Sequence, residues 1–116
     1  MVATDRGEFE FQSWLATSRP PFADCVRAAV ESLAVGRGGL RDRLAGALLI
    51  LFYGDGRDVP GAVQPAYEAL RDEVQQRAGK DFGQLRPWLA RCKMTTAERL
   101  AREIVRINRL LMDRDF

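Results

Sequence analysis

Four arginines near the C-terminus are the residues best suited to bind a charged partner. They follow one another at spacings of three, four and three residues: Arg99, Arg102, Arg106 and Arg109. On a helix this spacing places them along one face, where their guanidinium groups could contact successive phosphates. We call this set the arginine stripe. It predicts nucleic-acid binding as an alternative function, but a solvated face, or one that meets an acidic protein surface, is favoured because no interleaved aromatic residue could stack bases.

Positive charge is concentrated in the same part of the chain. Residues 87–116 contain seven basic and four acidic side chains, whereas residues 1–86 contain eleven and twelve. The whole chain has 18 basic and 16 acidic residues and a formal charge of +2. This balance is too even to indicate a nucleic-acid or membrane partner from composition alone.

A second cationic cluster accompanies the glycine-rich loop at residues 36–39. Its arginines are Arg37, Arg41 and Arg43, and the loop leads directly into an apolar segment. Backbone N–H groups at a helix N-terminus attract anions, so a small phosphate-bearing ligand at Gly36–Arg43 is a second alternative function. The glycine spacing matches neither a Walker loop nor a dinucleotide-binding loop. A plain connector between two antiparallel helices explains the glycines at least as well and is favoured.

Residues suited to catalysis or metal binding are few. The chain has no histidine, which removes the commonest general base and metal ligand. Cys25 and Cys92 are isolated and cannot form a zinc site, so we expect free thiols, with a disulfide as the alternative. Turn chemistry explains Asp55 and Asp58 better than a calcium loop does. We therefore expect no enzyme activity, no cofactor and no metal.

Length and hydropathy indicate the class of protein. With 116 residues, of which 47% are hydrophobic, residues 1–116 are predicted to form a single helical domain with its own core. The N-terminal residues lack the apolar run of a signal peptide. The longest uncharged apolar run has ten residues, whereas a membrane-spanning helix needs about 20. A cytoplasmic protein without a membrane partner is the resulting expectation.

That run, Leu44–Tyr53, is predicted to be the central helix. It consists mainly of leucine and alanine, and Ile50 is its single β-branched residue. Because apolar residues occur all round it, neighbours must cover most of its sides. The neighbours could be the second, fourth and sixth predicted helices. A second copy of the protein could also cover one side, as part of a dimer interface.

Apolar periodicity predicts the helices around this segment. A first helix capped by Asp5 has an aromatic face, with a short strand as the competing interpretation; the face comprises Phe9, Phe11, Trp14 and Leu15. The second helix ends at Gly36 and has the stripe Phe22, Val26, Ala29, Val30 and Leu33. The fourth covers residues 65–79 and has the stripe Val63, Tyr67, Leu70, Val74 and Ala78.

Two further helices are predicted after residue 79. A short fifth element, capped by Asp81, contains Leu85, Trp88 and Leu89, and Pro87 is expected to break or restart it. Residues 95–98 form a capping-box pattern at the start of the last helix. Its seam is Ala97, Leu100, Ile104, Ile107 and Leu111. On the fourth helix Glu73 and Arg77 are expected to pair.

Together these patterns predict an all-α protein, a compact bundle of five to six helices around a central apolar helix. The leading functional hypothesis is a non-enzymatic protein–protein interaction or regulatory module that associates through an apolar helix face, with homodimerisation as one form of it. The partner would then be another protein or a second copy of the chain.

Overall fold

The computed structural model describes residues 20–54, 56 and 58–113, and all regular secondary structure within them is helical. Five helices follow one another in these residues: α1 (Phe22–Val35), α2 (Leu40–Leu51), α3 (Gln64–Ala78), α4 (Leu85–Arg91) and α5 (Met94–Asp113). The predicted all-α bundle is confirmed. The predicted first helix, with its face of Phe9, Phe11, Trp14 and Leu15, lies outside the described residues.

Helix α2 is the centre of the bundle. Leu44, Leu48 and Leu51 are almost completely buried and belong to one hydrophobic cluster with members from every described helix. The helix begins a turn before the apolar run and ends at Leu51, so Tyr53 follows the helix instead of closing it. Gly46 allows the close approach to α1 that its size suggests, because a Cβ there would lie only 3.3 Å from the Ser32 hydroxyl.

The neighbours of α2 differ in part from those expected. Helices α1, α4 and α5 pack directly against it, while α3 packs mainly against α4 and α5. The short segment at residues 85–91 therefore takes the place predicted for the helix at residues 65–79. Leu85 and Leu89 are buried, so seven residues suffice to cover one side of α2.

Pro87 does not interrupt α4. The helix starts at Leu85, and Pro87 is its third residue, in the first turn where a backbone N–H has no intrahelical acceptor. Gln84, not the predicted Asp81, holds the N-cap position. Asp81 instead accepts a hydrogen bond from the Gly83 amide at 3.1 Å and stabilises the turn before the helix.

The start of α5 also differs from the capping-box prediction. The Ala97 amide donates to the Lys93 carbonyl at 3.1 Å, which makes Lys93 the residue that precedes the first turn. Thr95 is consequently inside the helix and cannot cap it. The apolar seam is as predicted, since Ala97, Leu100, Ile104 and Ile107 are buried, while Leu111 is half-buried.

The N-terminus of α1 is capped by a residue far away in the sequence. The N-cap residue is Pro21, whose side chain has no polar atom, and the Phe22 amide donates to Asp58 Oδ2 at 2.8 Å. A carboxylate also interacts favourably with the partial positive charge at this end of a helix. Asp58 thus joins the loop before α3 to the first turn of α1.

An ion pair joins α3 to α5. Glu73 accepts two hydrogen bonds from the guanidinium of Arg99, one of them at 3.1 Å, while the predicted partner Arg77 acts on Glu73 only through its charge, without a direct ion pair. The hydrogen bond from Arg99 is the main reason that the pKa of Glu73 lies below its ordinary value. One member of the arginine stripe therefore holds two helices together.

Replacing Arg99 by alanine should lower the free energy of unfolding at neutral pH by roughly 0.5–1 kcal/mol, the usual range for a partly exposed pair. A carboxyl whose pKa is lowered on folding adds stability above its unfolded pKa, about 4.3 for Glu, and loses it as the pH falls through the folded pKa. In urea unfolding, the free energy of unfolding should therefore be lower for Arg99→Ala than for wild type at pH 7. The two proteins should have similar free energies of unfolding at a pH where Glu73 is protonated. Arg102→Ala is the control, and its free energy of unfolding should equal that of wild type. If the free energy lost in Arg99→Ala were the same at every pH, this account would be contradicted.

Replacing Asp58 by alanine should cost about 1 kcal/mol, because the Phe22 amide loses its acceptor. Asp58→Asn keeps an oxygen that can accept the same hydrogen bond and should retain most of the stability. Thermal unfolding of the two variants beside wild type measures the difference. Equal destabilisation by alanine and asparagine would show that charge, and not the hydrogen bond, is what matters at this position.

Candidate functional site

The outer side of the α1–α2 hairpin carries an apolar groove of about 380 Å³. Its lining residues are Pro20, Asp24, Cys25, Ala28, Leu49, Ile50 and Tyr53. We call it the hairpin groove. Leu49 and Tyr53 are each 38% exposed, although the opposite side of α2 is buried. The all-round apolarity of α2 thus exceeds what the described part of the chain covers.

One charged residue of this groove, Asp24, is paired with Arg27, which lines a neighbouring groove of α1. Asp24, which belongs to the lining, accepts a hydrogen bond from Arg27 at 3.3 Å across one turn of α1. Both side chains are more than half exposed and remain accessible to a partner. An apolar centre with a charged edge resembles the arrangement found in protein–protein interfaces.

Cys25 lies in the wall of the hairpin groove and is itself buried. Burial is the main cause that raises the pKa of its thiol, and the nearby charges of Asp58 and Asp24 act in the same direction. A thiol with a raised pKa is protonated at neutral pH and is a poor nucleophile. Both cysteines are free, and the half-buried Cys92 donates to the Leu89 carbonyl at 3.3 Å.

The arginine stripe is not a uniform row of available cations. Arg99 is bound to Glu73, and Arg106 contacts Glu103 at 3.4 Å on the same helix. Arg102 and Arg109 are exposed and form no ion pair with the residues that the structure describes. The four predicted binding residues therefore divide into one structural arginine, one weakly paired arginine and two accessible ones.

A second groove, of about 580 Å³, lies beside the accessible arginines. We call it the arginine groove; its lining residues are Leu33, Leu40, Ala101, Arg102, Glu103, Val105, Arg106 and Arg109. Of its apolar members, Leu33 was assigned to the stripe of the second predicted helix, and Leu40, Ala101 and Val105 were not singled out in the sequence. The sequence pattern that could have indicated this groove is the four-residue spacing of Ala101 and Val105, each of which is next to an arginine of the stripe. Helix α1 and the start of α2 supply the rest of the apolar surface.

The arginines around the glycine-rich loop mainly serve the fold. Arg43 donates to the Leu33 carbonyl at 2.7 Å, and Arg41 donates to the Cys92 carbonyl at 2.8 Å. Leu33 is in the last turn of α1 and Cys92 is the C-cap residue of α4. Both guanidinium groups therefore satisfy carbonyls at helix C-termini, where positive charge is favourable. The structure brings these two arginines to helix ends, not to a common ligand.

The glycine-rich loop already has a carboxylate beside it. Gly38 has a φ of +88°, and a Cβ at that position would lie 2.7 Å from Asp42 Oδ2. Asp42 is in the first turn of α2, where an added phosphate would have to approach the helix. Arg37 is the one exposed arginine of this predicted set. These contacts favour the connector over the phosphate-binding alternative.

Two general observations apply to residues 20–54, 56 and 58–113. No three His, Cys, Asp or Glu side chains in this range are grouped so that they could hold a metal ion. None of the helices described has an apolar stretch long enough to cross a bilayer.

Comparison with known proteins adds no relative from which a function could be transferred. No family model matches the chain, and no curated protein or solved structure shows significant similarity to it. The two grooves are therefore interpreted from their own geometry and chemistry.

Proposed function

We propose that this protein is a non-enzymatic interaction module that forms a homodimer through the hairpin groove. The observation that supports the proposal is the exposure of Leu49 on α2, the helix whose other sides are largely buried, and of Tyr53 just after its end. Covering such a face with apolar side chains of a second molecule contributes about 25 cal/mol for each Å² removed from water. The exposed side of the apolar helix would then be covered by the second copy.

A second copy would find complementary charge if the contact extends from the groove to Arg27 on the adjoining side of α1. In a two-fold symmetric dimer the same patch faces itself, so each residue type must meet its complement on the partner. Asp24 lines the groove, and Arg27, which has the opposite charge, lies one turn away on α1 in the lining of a neighbouring groove. A two-fold axis that passes near them would place Asp24 of one copy opposite Arg27 of the other.

The chemistry of the groove favours binding over catalysis. Its thiol is buried and its pKa is raised, so Cys25 is a weak nucleophile. The whole chain contains no histidine to act as a general base beside it. Two free thiols also suit a reducing compartment, which supports placing the protein in the cytoplasm.

The proposal predicts that Leu49→Glu dissociates the dimer. A glutamate at this position must be buried without a partner when two copies meet, so the dimer dissociation constant should rise by about 100-fold or more. Sedimentation velocity over a wide concentration range measures this change. Met94→Glu is the matched control, because Met94 is 44% exposed and does not belong to the groove. A wild-type protein that remained monomeric at millimolar concentration would overturn the proposal.

Charge reversal tests the symmetry of the interface separately. Asp24→Arg alone should weaken the dimer several-fold, because the new arginine of each copy would then face Arg27 of the other copy. The double variant Asp24→Arg, Arg27→Asp should restore the affinity of the dimer, since residue 24 of each copy again has the opposite charge to residue 27 of the other. If the double variant stayed as weak as the single one, the two residues would not meet in the dimer.

A further inference from the structure

The arginine groove combines an apolar floor with a cationic edge. Leu33 and Leu40 belong to the end of α1 and the start of α2, and Ala101 and Val105 belong to α5. All four side chains are partly exposed at the groove. The edge is formed by Arg102, Arg106 and Arg109, which follow one another along α5. This surface involves a different part of the molecule from the hairpin groove.

The charge of this edge is largely uncompensated by the described part of the protein. Arg102 and Arg109 have no carboxylate partner there, and Arg106 makes only a 3.4 Å contact with Glu103 while remaining 60% exposed. Arg99, the remaining member of the stripe, is bound to Glu73 and does not line the groove. Three cations and one anion thus border the apolar floor, and a negatively charged partner would meet a net attraction.

We propose that the arginine groove binds an acidic amphipathic helix of a partner protein. Such a helix would place its apolar stripe on Ala101, Val105 and Leu40 and its carboxylates beside the arginines. Arg102 and Arg109 are seven residues apart, which corresponds to about 10 Å along α5. Acidic residues at positions i, i+3 or i+4, and i+7 of the partner would cover the same distance and face the three arginines in turn.

Nucleic acid fits this groove less well than an acidic helix. A phosphate backbone has no apolar surface to place on the floor, and the groove lining contains no aromatic side chain on which a base could stack. Glu103 lies among the lining residues, where it would repel phosphates. A protein helix can instead use the floor and still pair its carboxylates with the arginines.

A synthetic peptide of defined pattern tests this proposal. The probe is a fluorescent peptide helix of 18 residues, or about five turns. It has leucines along one face, glutamates at positions i, i+4 and i+7 beside them, and neutral residues elsewhere. Its binding is measured by fluorescence anisotropy. One comparison peptide has lysine in place of each glutamate, and another has glutamine in place of each leucine. Single-stranded and duplex DNA oligonucleotides are titrated under the same conditions.

The acidic leucine peptide should bind at least tenfold more tightly than either comparison peptide, since both the arginines and the floor contribute. The double variant Arg102→Glu, Arg109→Glu should weaken that binding by tenfold or more. Arg37→Glu, Arg91→Glu changes the net charge equally at two exposed arginines outside the groove and should bind as wild type does. Circular dichroism verifies that both double variants remain folded.

Three outcomes would overturn the proposal. The acidic peptide could fail to bind, or it could bind equally well to both double variants, which would indicate only a general attraction to positive charge. DNA could also bind more tightly than the peptide and lose its affinity in Arg102→Glu, Arg109→Glu, which would assign the groove to nucleic acid. Each result is independent of whether the hairpin groove forms a dimer, because the two grooves share no lining residue.

Discussion

The burial of α2 is the constraint on which the rest of the structure depends. This helix has apolar residues on nearly all of its sides, and hydrocarbon left in water is unfavourable in proportion to its area. Helices α1, α4 and α5 cover three sides, with Leu85 and Leu89 of the short α4 inserted where a longer helix was expected. The described helices do not cover this segment completely, since Leu49 and Tyr53, which follows the end of α2, remain partly exposed.

Packing several helices around one apolar helix brings their polar ends close to other segments. Charged side chains from distant positions in the chain form hydrogen bonds with the backbone amides and carbonyls at those helix ends. Asp58 accepts from the first amide of α1, and Arg43 and Arg41 donate to carbonyls at the ends of α1 and α4. An unpaired backbone group that is removed from water costs about as much as a lost hydrogen bond, so these contacts follow from the close packing.

The same packing decides which cations are available for binding. Arg41, Arg43 and Arg99 are engaged within the molecule, whereas Arg102 and Arg109 on α5 form no ion pair with the residues that the structure describes. Helix α1 contributes to both grooves, with Cys25 and Ala28 in one and Leu33 in the other. Two grooves of different character therefore lie on one small bundle, one mainly apolar and one with a cationic edge, and we propose a second copy for the first and an acidic helix for the other.

The sequence by itself determined the helical class, the central apolar segment and the seam of α5, because these features depend on local periodicity and on the hydrophobicity of neighbouring residues. Ala97, Leu100, Ile104 and Ile107 could be assigned to the core from their spacing alone. For the hairpin groove the sequence indicated only an apolar helix that needs cover on most sides, and it left open whether other helices or a second copy supply that cover. The boundaries of the groove could not be foreseen, because they depend on which helices reach α2.

Only the tertiary structure decided the partners of the charged residues. Glu73 forms its hydrogen bonds with Arg99 on α5, while Arg77 one turn away acts on it only through its charge. Arg41 and Arg43 donate to carbonyls at helix ends. Long charged side chains have many rotamers and pair with whatever group the fold brings within reach. Their partners therefore depend on how the helices are packed, whereas an apolar stripe depends only on the spacing of residues within one helix.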